Sequence, residues 1–312
     1  MSDAVKILTK ACFQSQVGST YEEDAMCLLP LTSGRIQMKP LMIEDEAQDG
    51  TGFRNTPRQG NIEVSGTLSF QADPVALPKI LEVFFGSSVG GVYSYASNTK
   101  KFSWCFDDGV KRYRFANIYP KSLKISSSAG QKVVCEIELI GVTSEARVDN
   151  AFPTATNYGS FFVHNDFSSG GYFRVGDHTD ALSSGDNQQI EEFSITMTSG
   201  FDTQYANQQL SLTPVYGMVG LEVTGSFKIS RYSADTFLDW RDAATPLQLD
   251  ALLSYGSNSL QIEIPNFIAQ VSLTDDEATR QEVEMLIGKN GYGSSYVNDN
   301  MQFVSPIRIT SI

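Results

Sequence analysis

The chain has 312 residues, of which 41% are hydrophobic and 19% are charged, a composition typical of globular rather than disordered proteins. No stretch approaches about 18 consecutive apolar residues, and the first residues lack the long apolar run of a signal peptide, so we expect neither a membrane-spanning helix nor a leader. A net charge of −13 argues against a protein built to grip phosphate groups.

The negative charge is concentrated in the second half of the chain. Residues 1–155 hold 16 Lys and Arg against 17 Asp and Glu, a net charge of −1, whereas the remainder holds 7 against 19, a net charge of −12. An acidic surface usually maintains solubility, and it also keeps a protein from adhering to nucleic acid.

Residues 33–43 and 61–70 predict the first two main strands. In the second of these, NIEVSGTLSF, apolar and polar residues alternate, which is the pattern of a strand with one buried face. The polar stretch EDEAQDGTGFRNTPRQGN at 44–61 separates the two strands. A structureless loop of this length in a compact domain is usually functional or disordered.

A helix is predicted over residues 73–86. Its apolar residues recur at helical spacing, Asp73 is a candidate N-cap, and Gly86 is a candidate stop. Further along, SLKISSSAGQKVVCEIELIG at 122–141 predicts a strand, a polar turn and a second strand.

The second half predicts the same elements in the same order. The sequence E-V-S-G-T-L at 63–68 returns as E-V-T-G-S-F at 222–227. A helix over about 234–254 follows this strand, and Pro246 breaks or restarts it.

The ends of the two halves also match. L-I-G at 139–141 aligns with L-I-G at 286–288, so the second copy has the shorter middle. We therefore predict an internal duplication, with domains at 1–150 and 151–312. Two unrelated β domains that share an alternation pattern are the alternative.

The sequence shows no motif that predicts catalysis or a cofactor. GSSVG at 86–90 matches a nucleophile elbow around Ser88, but a predicted helix precedes it where a strand is required. A phosphate-binding loop and a dinucleotide fingerprint are both missing. We predict no catalytic residue and no cofactor.

We also predict no metal site. His164 and His178 lie near aspartates, but their spacing fits no ligand set, and a solvated loop is the simpler interpretation. The basic cluster KRYR at 111–114 is predicted to be an exposed strand face, or a partner for acidic residues of a neighbouring subunit, rather than a nucleic-acid site. The four cysteines form no CxxC pair, and we predict buried free thiols at Cys12, Cys27, Cys105 and Cys135.

Three segments carry a resemblance to a known family. The first is KACFQSQVGSTYEEDAMCLLPLTSGRIQMKP at 10–40, in which G-S-T-Y precedes the first strand. The second is G-N-I-E-V-S-G-T-L-S-F at 60–70, and the third is the helix end F-F-G-S at 84–87. In these segments the chain resembles the major tail tube proteins of long-tailed, siphophage-like bacteriophages. The segments and their surroundings cover about half of the chain, and the second half is included through the repeat.

The resemblance implies a mainly β fold with two tandem β-sandwich or incomplete-barrel tube domains, each with one flanking helix and a long loop or arm. It implies a structural virion protein, not an enzyme, whose domains form six-fold rings that stack into a hollow tail tube for DNA ejection. Two domains in one chain would give a homotrimer with a pseudo-hexameric ring, and six chains per ring is the alternative. Another tail or head–tail connector protein, or a carbohydrate-binding β-sandwich, is the alternative function.

The partners implied by the resemblance are further copies of the chain, the tape measure protein, the tail terminator and the tail-tip proteins. Genomic DNA would pass in transit without tight binding, and no membrane is involved. The protein would lie in the tail of the virion, and in the host cytoplasm during assembly.

The long polar loop at 44–61 and its counterpart at 200–219 are candidates for assembly contacts. We expect each to be an arm that orders against a neighbouring subunit, with a flexible loop as the alternative. The candidate arm residues are Glu44, Asp45, Glu46, Asp49, Phe53, Arg54, Arg58, Asp202 and Tyr205.

Six glutamates have the parity to share one face within their strands. In a tube they would line an acidic lumen past which DNA moves without being held, because like charges at close range reduce adhesion. The candidate lumen residues are Glu63, Glu136, Glu138, Glu222, Glu282 and Glu284.

Overall fold

A computed structural model of the chain describes residues 10–43, 58–86, 88–94, 100–148, 151–164, 170–204, 213–216, 221–230, 234–271, 280–287 and 305–311. Within these ranges the protein is mainly β, with two short α-helices, which confirms the expected fold class. Neither of the described helices is long and apolar enough to cross a membrane.

Nine strands and one helix form the described part of the first half. The strands are β1 (Lys10–Gln16), β2 (Cys27–Leu29), β3 (Leu31–Ile43), β4 (Arg58–Gln71), β5 (Ser88–Val89), β6 (Val92–Ser94), β7 (Lys101–Asp107), β8 (Arg112–Ser128) and β9 (Val134–Val148). The helix α1 (Ala76–Phe85) lies between β4 and β5.

The described part of the second half contains nine strands, one α-helix and one short 3-10 helix at Ser184–Asp186. The strands are β10 (Tyr172–Asp177), β11 (Ile190–Thr198), β12 (Phe201–Gln204), β13 (Thr213–Tyr216), β14 (Glu222–Ser230), β15 (Pro246–Tyr255), β16 (Asn258–Val271), β17 (Arg280–Leu286) and β18 (Arg308–Ser311). The helix α2 (Ala234–Asp242) lies between β14 and β15.

The first predicted helix forms where the sequence indicates it. Its start is held by Asp73, whose carboxylate accepts hydrogen bonds from the backbone N–H groups of Val75 and Ala76, each at 2.7 Å. It ends at Gly86, which adopts φ 81°, a left-handed conformation that glycine takes without steric cost.

The second predicted helix is wrong over its later half. Helix α2 ends at Asp242, and residues 246–254, which were expected to be helical, belong to strand β15. Pro246 explains the change, because proline lacks the N–H that a helix needs and disfavours helical geometry in the residue before it. Both faces of β15 are largely buried, so its apolar residues hide the two-residue period that marks a strand.

Two sets of six strands share one connectivity. In the first set the neighbours run β3-β4-β9-β8-β7-β1, and in the second they run β11-β14-β17-β16-β15-β10. When each set is numbered along the chain, the two spatial orders are identical, and in each set the helix follows the second strand of the path.

The registers of the two sets agree, with one correction to the sequence alignment. Gly66 of E-V-S-G-T-L lies opposite Leu139, and Gly225 of E-V-T-G-S-F lies opposite Met285. Met285 is therefore the counterpart of Leu139, whereas the L-I-G alignment assigned that place to Leu286 and is wrong by one position. Such a slip matters because moving a strand by one position turns every side chain to the other face.

The two sets are joined into one sheet. Strand β8 of the first set pairs antiparallel with β11 of the second over seven residue pairs, from Ser122 opposite Thr198 to Ser128 opposite Glu192. One hydrophobic core runs through both sets, and it includes the fully buried side chains of Leu68, Ile137 and Val283.

Candidate assembly surface

Eight strands form a continuous surface with one apolar and one polar side. They run in the order β3-β4-β9-β8-β11-β14-β17-β16, each antiparallel to the next. On one side lie core residues such as Val64, Ile195 and Met285. The residues that alternate with them form the other side, which we call the polar face.

The six glutamates predicted to share faces within their strands all lie on this single polar face. The register connects them directly, since Glu138 is opposite Thr67 and Ser122, and Glu284 is opposite Ser226. All six are half-buried or exposed, namely Glu63, Glu136, Glu138, Glu222, Glu282 and Glu284. That they line a lumen stays a prediction.

Short hydroxyl side chains separate these glutamates. Serine and threonine are uncharged and carry few rotatable bonds, so they present a polar surface that does not hold an anion by charge. The hydroxyl residues of the polar face are Ser65, Thr67, Ser69, Ser122, Ser126, Ser128, Ser194, Thr196, Thr198, Thr224 and Ser226.

The charge of the polar face differs between the two sets. In the first set the three glutamates are balanced by basic residues, and Lys121 forms an ion pair with Glu138 at 2.9 Å. In the second set Lys228 pairs with Glu192 at 2.9 Å and faces Glu282 on its other side. The basic residues along the first set are Arg35, Lys39, Lys121 and Lys124. The described part of the polar face is therefore near neutral in the first set and acidic in the second.

One edge of this surface has no neighbour within the described part of the chain. Strand β3 pairs with β4 on one side only, whereas its counterpart β11 pairs with β14 and also with β8. The difference shows at matching positions, because Met38 lies opposite Val64 and Met197 lies opposite Val223. Met197 lies opposite Leu123 of β8 and is 0% exposed, whereas Met38 is 38% exposed.

The second predicted arm forms a hairpin that reaches the first set. Strands β12 and β13 pair with each other, and the Phe201 ring packs on Tyr119 of β8 with centroids 4.9 Å apart. At its base, the Ser199 hydroxyl donates a hydrogen bond to the carbonyl oxygen of Pro120 at 2.7 Å, and the Ser199 N–H donates one to the carbonyl oxygen of Lys121 at 2.8 Å. The described part of the second predicted arm therefore contacts the first set of the same chain, and its contact with a neighbouring subunit stays a prediction.

The individual arm candidates divide between described and undescribed parts of the chain. Asp202 lies in β12 opposite Val215, and Arg58 begins β4 opposite Ile43. The other candidates lie outside the described residues, and they are Glu44, Asp45, Glu46, Asp49, Phe53, Arg54 and Tyr205.

The minor motifs have structural explanations. Ser88 begins a short hairpin strand after the stop of helix α1, so the strand–turn–helix context of a nucleophile elbow is missing there. The basic cluster forms ion pairs inside the chain, with Arg112 3.0 Å from Asp107 and Arg114 2.6 Å from Glu23. Among the residues described, no group of three or more His, Cys, Asp or Glu side chains could hold a metal.

The solvated loop predicted around His164 is wrong for that residue. His164 is fully buried, its Nε2 lies 2.9 Å from the carbonyl oxygen of Ile190, and its Nδ1 lies 2.8 Å from the Ser127 hydroxyl. Its ring packs on Phe173 and Phe193. Burial lowers the pKa of His164, so the neutral ring, with Nε2 donating, fits this position. No sequence signal marked the residue, because its partners come from distant strands.

The described residues combine a doubled strand order, a continuous polar face and a sheet edge without a described neighbour, and together these define a β-sheet protein with a free edge for further strand pairing. The model of one family, described as phage tail tube protein, matches residues 14–286. The chain therefore belongs to the phage tail tube proteins, as the sequence resemblance indicated. No curated protein matches it. Membership in this family gives the chain a structural role in the virion tail, where it associates with itself.

Proposed function

We propose that three copies of this chain close into a ring in which each strand set supplies one of six wall segments. The rings would stack into the hollow tail tube of a long-tailed phage and conduct DNA during ejection. The two strand sets would then be the product of a duplication. Their identical spatial order supports this, and so do their matching registers, since Met38 opposite Val64 corresponds to Met197 opposite Val223.

The junction between β8 and β11 supplies a template for the contact between chains. Strand β16 occupies in the second set the place that β8 occupies in the first, with Val271 in the position of Leu123. Strand β3 likewise occupies the place of β11. If the same junction is repeated between copies, β16 of one chain pairs with β3 of the next, head to tail, and the contacts close into a ring.

The exposure of Met38 is the observation that carries this proposal. In the junction within the chain, Met197 lies opposite Leu123 and is fully buried. In the proposed junction between chains, Met38 would lie opposite Val271 of the next copy and lose its exposed fraction. In a single chain, Met38 of β3 is exposed, whereas Met197, at the corresponding position of β11, is covered by β8.

The arms support the same arrangement. The hairpin of β12 and β13 already lies on the strand set next to its own, where Phe201 contacts Tyr119. The paired ends of β3 and β4, which lead into the first predicted arm, occupy the corresponding place in the first set. In a ring, this first arm would lie on the second set of the adjacent chain.

The polar face would form the lumen. The opposite side of the eight-stranded surface carries the core, with α1 and the remaining strands beyond it, and this bulk fits the outside of a ring. Three copies of eight strands would give a barrel of 24 strands, with a diameter of about 45–50 Å between opposite backbones at the usual strand spacing and tilt. Such a lumen would admit a DNA duplex, and its glutamates and hydroxyl groups would not bind the phosphates.

The finer assignments follow from tail architecture. The tape measure protein would occupy the lumen before ejection, and the tail terminator and tail-tip proteins would cap the stack at its two ends. The chain would be folded in the host cytoplasm before it joins the virion.

Electron microscopy of the purified chain, together with native mass measurement, tests the proposal. Hollow rings or tubes with three chains per ring are expected, with six similar wall segments in projection. Rings of six chains would refute the role of the second set as a wall segment. A chain that stays monomeric even with tail-tip complexes as initiators would refute the tube itself.

A further inference from the structure

A pair of cysteines lies outside the main core and outside the proposed assembly surface. Cys12 of β1 and Cys105 of β7 are directly opposite each other in an antiparallel ladder. Both are fully buried, and with Met26 they form a small cluster of their own. Both are free thiols in this structure.

The other two cysteines offer an internal comparison. Cys27 lies opposite Phe13 and forms an isolated backbone β-bridge with Thr156. Cys135 lies between Phe70 and Ile125 on the two neighbouring strands. In the described strand pairings, neither is opposite another cysteine. Opposed residues of an antiparallel pair have Cα atoms about 4.5–5.5 Å apart, within the range that a disulfide spans. The register therefore favours one bridge, between Cys12 and Cys105.

The two thiols are chemically unequal. The interaction between the two facing thiols lowers the pKa of Cys105 and raises that of Cys12. The Arg114 guanidinium, which lies 4.8 Å from the centroid of the Tyr21 ring, also lowers the pKa of Cys105. A thiol whose thiolate is stabilised by a facing thiol and a nearby cation is the better nucleophile of the two.

An open cleft lies beside the cysteine cluster. The cleft has a volume of about 420 Å³, and its lining includes Met26, which belongs to the cysteine cluster, and Ala155, which packs against the cluster. The cleft continues along the segments at 23–26 and 153–156.

We propose that Cys12 and Cys105 form a redox-active pair that a peroxide converts into a disulfide. The Cys105 thiolate attacks one peroxide oxygen, the O–O bond breaks, and the product is a sulfenic acid with release of water after proton uptake. The Cys12 thiol then gives up its proton and attacks the Cys105 sulfur, which forms the S–S bond and releases the sulfenic oxygen as a second water. The two thiols are oxidised by two electrons, and the peroxide is reduced by two.

The disulfide would tie β1 to β7. Strand β1 is held in the sheet only by β2 and β7 within the described residues, so the bridge fixes the first described strand of the chain covalently. A cross-link of this span restricts the unfolded chain, and it should raise the midpoint of thermal unfolding.

Thiol counting on the full chain tests the proposal. The reduced protein is treated with hydrogen peroxide under native conditions, then unfolded and alkylated, and cross-linked peptides are mapped by mass spectrometry. The number of alkylated cysteines should fall from four to two, with the loss of two hydrogen atoms and one linked pair, Cys12 with Cys105. Dithiothreitol should restore all four and return the unfolding midpoint to that of the reduced protein.

Matched variants sharpen the result. After peroxide, Cys12→Ser should give no cross-linked peptide and lose at most one thiol, that of Cys105 as its unresolved sulfenic acid, whereas Cys27→Ser should lose two of its three thiols to the Cys12–Cys105 bridge. If a variant does not fold, the peptide map of the unaltered chain decides alone. Four alkylatable thiols after peroxide, a link through Cys27 or Cys135, or a link between two chains would overturn the proposal.

Discussion

Replacement of Met38 by arginine should block ring closure without unfolding the chain. Met38 is 38% exposed in the single chain, so a charged side chain there can still reach water. At the proposed junction the same position faces Val271 of the next copy on the apolar side of the sheet. Met38→Arg would therefore bury a charge without a partner at every junction.

The size of the effect follows from the exposure. Complete burial of a methionine side chain contributes about 1.5–3 kcal/mol, so covering its exposed 38% contributes about 1 kcal/mol per junction. The arginine removes this contribution and adds a desolvation cost of several kcal/mol for the unpaired charge. With three junctions per ring, the loss should abolish rings at micromolar concentrations.

Sedimentation velocity and electron microscopy measure the outcome, and Val110→Arg is the matched control. Val110 is 76% exposed in the turn between β7 and β8, away from the edge of β3, so the same substitution there should leave assembly unchanged. Circular dichroism and the unfolding midpoint check that Met38→Arg is folded. If folded Met38→Arg assembled as well as the unaltered chain, the proposed edge contact would be wrong.

Three further predictions concern the sheet, the buried histidine and the polar face. Gly66→Ala should lower the free energy of unfolding in urea by more than Gly225→Ala does. A Cβ at Gly66 meets the β3 backbone, whereas a Cβ at Gly225 has the flexible end of a methionine side chain as its nearest neighbour. Equal losses of unfolding free energy in the two variants would contradict this prediction. The pKa of His164 is lowered in the folded chain, so its contribution to stability is complete above its unfolded-state pKa of about 6.5 and is lost as the pH falls below that pKa. The thermal unfolding midpoint of His164→Gln should therefore fall less steeply between pH 7 and pH 5 than that of the unaltered chain. Glu282→Lys combined with Glu284→Lys should give tubes that retain DNA fragments in co-sedimentation at low salt and release them at high salt, while unaltered tubes retain none; equal retention would count against a lumen-facing polar face.

The alternation of the strands carried most of what the sequence could predict. A period of two fixes which residues share a face once a segment is extended, so the sequence alone could assign Glu136 and Glu138, or Glu282 and Glu284, to one side of a strand. The first helix was also predictable, because Asp73 and Gly86 act through local contacts. Local signals of this kind need no knowledge of distant partners.

Other features depend on distant partners, and the sequence could not show them. Strand β15 is buried on both faces, so its apolar residues do not alternate with polar ones as in a half-buried strand. Its leucines therefore also fit a helical spacing. The burial of His164 follows from contacts with Ser127 and Ile190, which come from different strands. The alignment of β9 with β17 was wrong by one position because the repeated L-I-G letters matched better than the residues that share a place in the sheet.

Strand β18 has a consequence for the order in which the chain folds. It lies between β16 and β6 in the sheet. Arg308 of β18 forms a bidentate ion pair with Glu263 of β16, with N–O distances of 2.5 and 2.6 Å. Because synthesis runs from the N-terminus, β6 emerges from the ribosome long before β18, one of the two strands that pair with it. Such non-local pairing slows folding and leaves two sheet edges exposed to other nascent chains in the meantime. In a cell that makes many copies at once, the pairing of β18 would therefore decide whether a partly folded chain becomes a subunit or joins an aggregate.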